Sequence, residues 1–201
     1  NSKNIDVIIC DHHNVAEELP SAISILNPKQ PDCLYPNKNL SGCGVGFKFI
    51  SAYSIHHNIK KKETYKYLDL LALSLIADIM SLTGENRIFT FYGLKKINQN
   101  PCVGLKALIN LLSKNNLIKS SDISFGIAPL INAAGRMSHA TNAVKLLIES
   151  NSQEAEVYAK ILYENNNDRR EVEKEITNQA LGMIDNKMHT SVVSSTNWHK
   201  G

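Results

Sequence analysis

Apolar residues follow two rhythms along this chain, and the change from one to the other outlines the architecture. Ile5, Val7, Ile8 and Ile9 form a short β-branched run with Asp6 as its one polar member. Near-continuous runs of this kind belong to strands covered on both faces, as in the parallel sheets of α/β domains. A second run, Ala22 to Leu26, is stopped by the turn signal Asn27-Pro28 and predicts a neighbouring parallel strand. Pro28, Pro31 and Pro36 then keep the next stretch irregular.

From Gly42 the apolar spacing changes to three and four residues. GCGVGFKFISAYSIHH, YKYLDLLALSLIADIM, ENRIFTFYGLKKIN and VGLKALINLLSK each predict a helix. Pro129 and Gly135 interrupt FGIAPLINAAGRM, which reads as a turn between helices, and a further helix is expected from Ala140 to Glu149. Ser152 to Ile184 holds no proline and one glycine, Gly182, and predicts a single long helix. SVVSSTNWHKG closes the chain as an expected strand followed by Trp198 and His199. The fold class is therefore α/β and helix-rich, with a small parallel sheet (strands near 5–10 and 22–26) and a long helix near 152–184.

Composition narrows the picture only slightly. A length of 201 residues with 43% hydrophobic content suits a globular chain with a real core. The formal net charge of +3 announces no nucleic-acid binder by itself, although it does not oppose a polyanion. Cys10, Cys33, Cys43 and Cys102 form no CxxC pair and no short spacing to histidine, so neither a zinc knuckle nor a disulfide framework is expected, and a reducing, cytoplasmic setting is. No apolar run reaches the roughly 18 to 20 residues of a membrane span. Starting at NSKN and stopping at WHKG, the chain reads as a piece of a longer protein.

Candidate chemistry begins at the end of the first run. Ligands collect at the carboxyl ends of strands in parallel sheets, and CDHHNV places Asp11, His12 and His13 there. A carboxylate mixed with imidazoles suits manganese, magnesium or zinc, and the absence of thiolates argues for a catalytic oxygen and nitrogen site. His56 and His57 form a second pair, read as solvated side chains near a helix end. Asp78 lies within LLALSLIADIMSL among apolar residues, where a buried carboxylate needs a cation, whereas Asp69 is expected to face solvent. SGCGVGFKF, from Ser41, opens a helix with glycines that can cradle a phosphate or pack closely. GENR, Gly84 to Arg87, reads as a helix start with Glu85 near the positive end of the dipole. INAAGR offers backbone approach to a ligand and brings Arg136 to a phosphate, or else is only a tight turn.

Taken in order, VIICDHHNVAEELPSAISILNPKQPDCLYPNKNLSGCGVGFKF, LDLLALSLIADIMSLTGENR, INAAGR, ENNNDRREVE and WHKG resemble the DHH phosphoesterase superfamily, and within it the RecJ-type single-stranded-DNA exonucleases. The resemblance implies manganese- or magnesium-dependent, two-metal hydrolysis of phosphodiesters from the 5′ end of single-stranded DNA, in repair and recombination. By position, His12 and Asp78 are metal ligands, Asp11 is a ligand or a carboxylate that orients His12, and His13 contacts the scissile phosphate. His13 and Asp11 are thus the catalytic pair, and Ser41, Gly42, Asn132 and Arg136 line the strand path. Residues 1–150 correspond to the later part of the catalytic domain, 151–189 to a connecting helix and 190–201 to the start of the next domain.

Two departures accompany the resemblance. The family's upstream motifs, which supply further carboxylates, precede the first residue here, so the two-metal site is only partly encoded and the chain is expected to be inactive alone. The usual arginine and glycine of the later motif are Leu130 and Ala128. Alternative readings are a phosphodiesterase for short or cyclic oligonucleotides, or a non-catalytic strand-binding scaffold. Strand-mediated self-association is expected, because the first strand presents an apolar edge.

Overall fold

The computed structural model describes residues 5–112, 116–137, 140–184 and 189–198, with the side chains at 136 and 137 excepted. Two compact units divide it, one of residues 1–102 and 115–124, the other of residues 103–114 and 125–201. They do not follow the expected division at residue 150.

The first unit opens with strand β1 (Ile8–Cys10), parallel to β2 (Ser24–Leu26) with Ile9 opposite Ile25. Ile23 N–H donates to the Val7 carbonyl and Asp11 N–H to that of Leu26, each at 3.0 Å, which extends the ladder beyond both ends. Helix α1 (Gly42–His56) packs on β1 and on α3 (Leu68–Ala77), with the short α2 (Lys61–Tyr65) beside it. Phe47, Leu71 and Leu75 form the core there, flanked by Ile50, Leu68, Met80 and Phe89. Helix α4 (Gly84–Gln99) lies along α3, and a Cβ at Gly93 would collide with Ala72 and the Leu68 carbonyl, so glycine is what allows this approach. The expected coverage of the first strand on both faces is not found: Ile5, Val7 and Ile8 are exposed. A sheet of two strands offers β1 one pairing partner, and α1 is the helix packed against it.

The second unit opens with α5 (Val103–Leu111); the short α6 (Ser120–Asp122) and residues 123 and 124 of a π-helical segment (Ile123–Ile127) belong to the first unit, and the second resumes at Phe125. Helix α7 (Ala128–Met137), α8 (Thr141–Ile148) and α9 (Ser152–Gly182) complete it. The turn expected around Pro129 and Gly135 is helical instead. Pro129 has no N–H for the regular ladder, and it falls in the first turn of α7, directly after the wider π segment. The 31-residue α9 is as long as expected, yet it does not stand apart as a connector. It buries Ala155, Ala159, Leu162 and Asn166, a stripe at helical spacing, and packs on α5, α7 and α8. The strand expected after it is absent from the described residues 189–198, while residues 199–201 lie outside the described residues.

The proline-bearing connection from β2 to α1 is held down by the start of α4. The Glu85 carboxylate accepts from Tyr35 Oη at 2.8 Å, Asn37 Nδ2 at 3.1 Å and Lys48 Nζ at 3.2 Å. Asn86, 1% exposed, donates to the Asn39 carbonyl at 2.7 Å and the Ser81 carbonyl at 2.9 Å. Burial alone would raise the Glu85 pKa, but the bonds from Tyr35, Asn37 and Lys48 outweigh it and hold the carboxyl below its usual value. A depressed native pKa contributes stability that is complete above the unfolded value, near 4.3, and is lost as pH falls through the native one. Glu85→Gln is therefore expected to cost about 1–2 kcal/mol at neutral pH. The gap to the parent should narrow toward pH 3, as read from urea midpoints across pH.

Candidate metal centre

The ladder bond from Asp11 N–H to Leu26 makes Asp11 the last residue held by the sheet, so His12 and His13 project from its end. Asp11 Oδ1 receives His13 Nδ1 at 2.7 Å and the His13 backbone N–H at 3.4 Å. The bond from His13 is the main reason the Asp11 carboxyl sits below the usual carboxylate range. It is ionised at neutral pH. The rings of His12 and His13 lie 4.4 Å apart, and one ligand atom from each of Asp11, His12 and His13 falls within 4.8 Å of the others.

The fourth residue arrives from α3. Asp78 Oδ2 lies 3.6 Å from His12 Nε2, while His12 Nδ1 faces Asp11 Oδ1 at 3.9 Å. The imidazole thus stands between two carboxylates, one on each nitrogen. Asp78 caps α3, and the helix closes with Ile79 N–H on the Ile76 carbonyl and Met80 N–H on that of Leu75, the paired bonds of a Schellman motif. This motif requires a left-handed residue after the cap. Here that residue is Ile79, at φ 53° and 88% exposed. Glycine is favoured in such a position, and a β-branched side chain there is strained.

The sequence had assigned the two α3 aspartates the wrong way round. Asp69, expected at the surface, is 0% exposed, and its carboxylate accepts from Lys96 Nζ at 3.0 Å, Cys102 N–H at 2.7 Å and Leu70 N–H at 3.0 Å. Asp78, expected among apolar side chains, has a side chain 39% exposed. Leu71, Leu73, Leu75 and Ile76 turn toward the core, while Asp78 and the exposed Ile79 end the helix outside it. Lys96, which compensates Asp69, lies on a different helix.

The glycine-rich opening of α1 comes up beside His12. Ser41 is fully buried, and its hydroxyl accepts from Gly44 N–H at 3.2 Å and from Ser74 Oγ at 2.9 Å. Its side chain is therefore used as the α1 cap and a tie to α3, and it is not presented at the surface as a strand contact would be. A Cβ at Gly42 would lie 3.3 Å from His12 Nδ1, so glycine leaves the imidazole its room. Cys43 is solvent-accessible, but desolvation and then the negative charges of Asp78 and Asp69 push its thiol up to about 11. Without a metal it stays protonated at neutral pH. Asn132 is an exposed residue of α7 in the second unit, and the Arg136 side chain lies outside the described residues. Leu130 and Ala128, the departures noted above, are buried in that unit. His56 and His57 meet edge to face at 4.9 Å and both are exposed, as a solvated pair would be.

Asp11, His12 and His13 at a strand end are thus met by an aspartate from the following helical region. Residues 1–75 match the DHH family, N-terminal domain. Over nearly all its length it is similar to the single-stranded-DNA-specific exonuclease RecJ: it is 36% identical to that of Bacillus subtilis (strain 168) over 202 residues, which cover 98% of this chain and 25% of the relative. A crystal structure of exonuclease RecJ bound to manganese superposes with a TM-score of 0.78 at 30% identity, covering 90% of this chain and 45% of that one. RecJ of Thermus thermophilus in complex with Mn2+ gives a TM-score of 0.80 at 29% identity, covering 92% of this chain and 28% of that one. The chain thus spans less than half the length of each of these relatives.

Ile79 yields a direct test of the strained helix end. Left-handed backbone costs a residue with a Cβ about 1–2 kcal/mol, against about 0.5–1 kcal/mol of extra chain entropy for glycine. Ile79→Gly is expected to raise stability by up to about 1 kcal/mol in denaturant titrations with an unchanged m value.

Proposed function

We propose that this chain carries part of a divalent-metal site for phosphodiester hydrolysis, and that the protein containing it degrades single-stranded DNA from the 5′ end in repair and recombination. The observation that carries the reading is the meeting of His12 with Asp78 beside Asp11 and His13. His12 Nε2 and Asp78 Oδ2, 3.6 Å apart, are close enough that both could hold one divalent ion through bonds of about 2 Å. His12 Nε2 and Asp78 act as metal ligands. Asp11, on the Nδ1 side of His12, orients that ring or adds a third ligand while it holds His13 by the 2.7 Å bond. His13 contacts the scissile phosphate. When bound, the metal polarises the phosphate and lowers the pKa of attacking water. Gly42 keeps backbone close to the site, and Asn132 and Arg136 meet the strand elsewhere along its path.

With Asp11, His12, His13 and Asp78 as its donor set, the chain is expected to bind one manganese ion weakly, and to show no nuclease activity alone. In titrations followed by the electron paramagnetic resonance of free Mn2+, His12→Ala should lose about tenfold or more in affinity, as loss of a ligand implies, and His13→Ala much less. In the intact protein, manganese-dependent release of nucleotides from the 5′ end of a long single strand should disappear with either substitution. A preference for dinucleotides or cyclic dinucleotides over the long strand would favour the short-substrate phosphodiesterase instead.

The exposed Ile8 of β1 and Val7 just before it fit pairing of the outer edge with another strand. Self-association of the chain is expected, seen as a sedimentation-equilibrium mass that rises with concentration. Val7→Lys should return it to the monomer.

A further inference from the structure

Asn27 directly follows β2 and precedes Pro28, whose ring steers the residue before it toward extended backbone. Its side chain is 6% exposed and uses both ends of its carboxamide. Oδ1 accepts from the Lys29 backbone N–H at 2.9 Å, closing an Asx turn, and Nδ2 donates to the His13 carbonyl at 2.9 Å. Gln30 fixes the backbone from which the amide projects, through Nε2 on the Ile25 carbonyl at 2.8 Å and N–H on the Asn27 carbonyl at 3.2 Å. Asn27 also borders a cavity of about 350 Å³ whose wall includes Leu26, Pro28, Leu40 and Val45. Apolar surroundings strengthen a hydrogen bond and make its loss costly.

The turn needs only the oxygen of this side chain, which aspartate would supply equally well. The Nδ2 donor serves something else. His13 is 77% exposed at its side chain, with Asp11 as its ring's hydrogen-bond partner, so its direction depends on the peptide that carries it. We infer that Asn27 is a positioning residue: its buried amide clamps the His13 carbonyl and so keeps the His13 imidazole on Asp11 and beside His12. This rests on reading Asp11, His12 and His13 as the functional site.

Asn27→Asp in the full 201-residue chain keeps the turn acceptor and removes the donor. Backbone 15N relaxation is measured without metal. The order parameters of His13 and Asn14 should fall from about 0.85 to below about 0.6, while Ile25, Leu26 and α1 keep theirs. Unchanged values at His13 and Asn14 would overturn the inference. So would an equal fall across β2 and α1, because Asn27 would then be only a turn builder. If that variant does not fold, Asn27→Ser, which retains a hydroxyl for the turn, is read in the same way. Manganese is then added. In the parent it should broaden the ring signals of both His12 and His13, and in the variant the His13 signals should lose broadening relative to His12. If manganese broadens neither ring in the parent, the metal-site reading fails, and the metal-free relaxation still decides the role of Asn27.

Discussion

The first unit depends on keeping one imidazole between two carboxylates that the chain delivers from distant places. His12 faces Asp11 through Nδ1 and Asp78 through Nε2. Asp11 arrives on the last rung of a parallel ladder, and Asp78 on the closing turn of α3. Two carboxylates gathered around one ring repel each other unless positive charge lies between them. The arrangement therefore favours a cation, and its geometry persists only if β1, α1 and α3 stay in register. A strained Ile79 at the helix end is tolerated because the Schellman bonds and the core contact of Met80 determine the turn.

Small polar side chains maintain that register. Ser41 caps α1 and receives Ser74 from α3, so one hydroxyl ties together the two helices that flank His12. Gly42 follows directly and leaves space for the ring. The connection leading into α1 has little regular structure of its own, and Glu85 and Asn86 satisfy its polar groups from the start of α4. Asn27 does the same at its other end, where the connection leaves β2. Buried polar groups are costly when unpaired, so these bonds make a single path of the loop more favourable than its alternatives.

The two aspartates at the start and the cap of α3 sit in opposite surroundings. Asp69 is fully buried, and Lys96 with two backbone N–H groups compensates it completely enough to make it part of the core. Asp78 retains solvent access and is met by an imidazole, which leaves it able to bind a cation. The manganese-bound structures of RecJ share this fold at 29–30% identity.

The sequence alone determined most of the secondary structure and the identity of the strand-end cluster. Apolar spacing marked α1, α3, α4 and α5, because burial of one face leaves a periodic trace in the order of residues, while the absence of proline marked α9 and the β-branched run before Asp11 marked β1. Asp11, His12 and His13 are adjacent, so their gathering needed no folding to be seen. The partner on Asp69, the exposure of Asp78, the capping role of Ser41 and the clamp from Asn27 to His13 were decided only in the tertiary structure. Each depends on residues that approach through space from separate elements, such as Lys96 to Asp69 or Asn27 to His13, and no local pattern records such an approach. The helix through Pro129 was likewise hidden, because a wider turn that accommodates a missing donor has no periodic signature of its own.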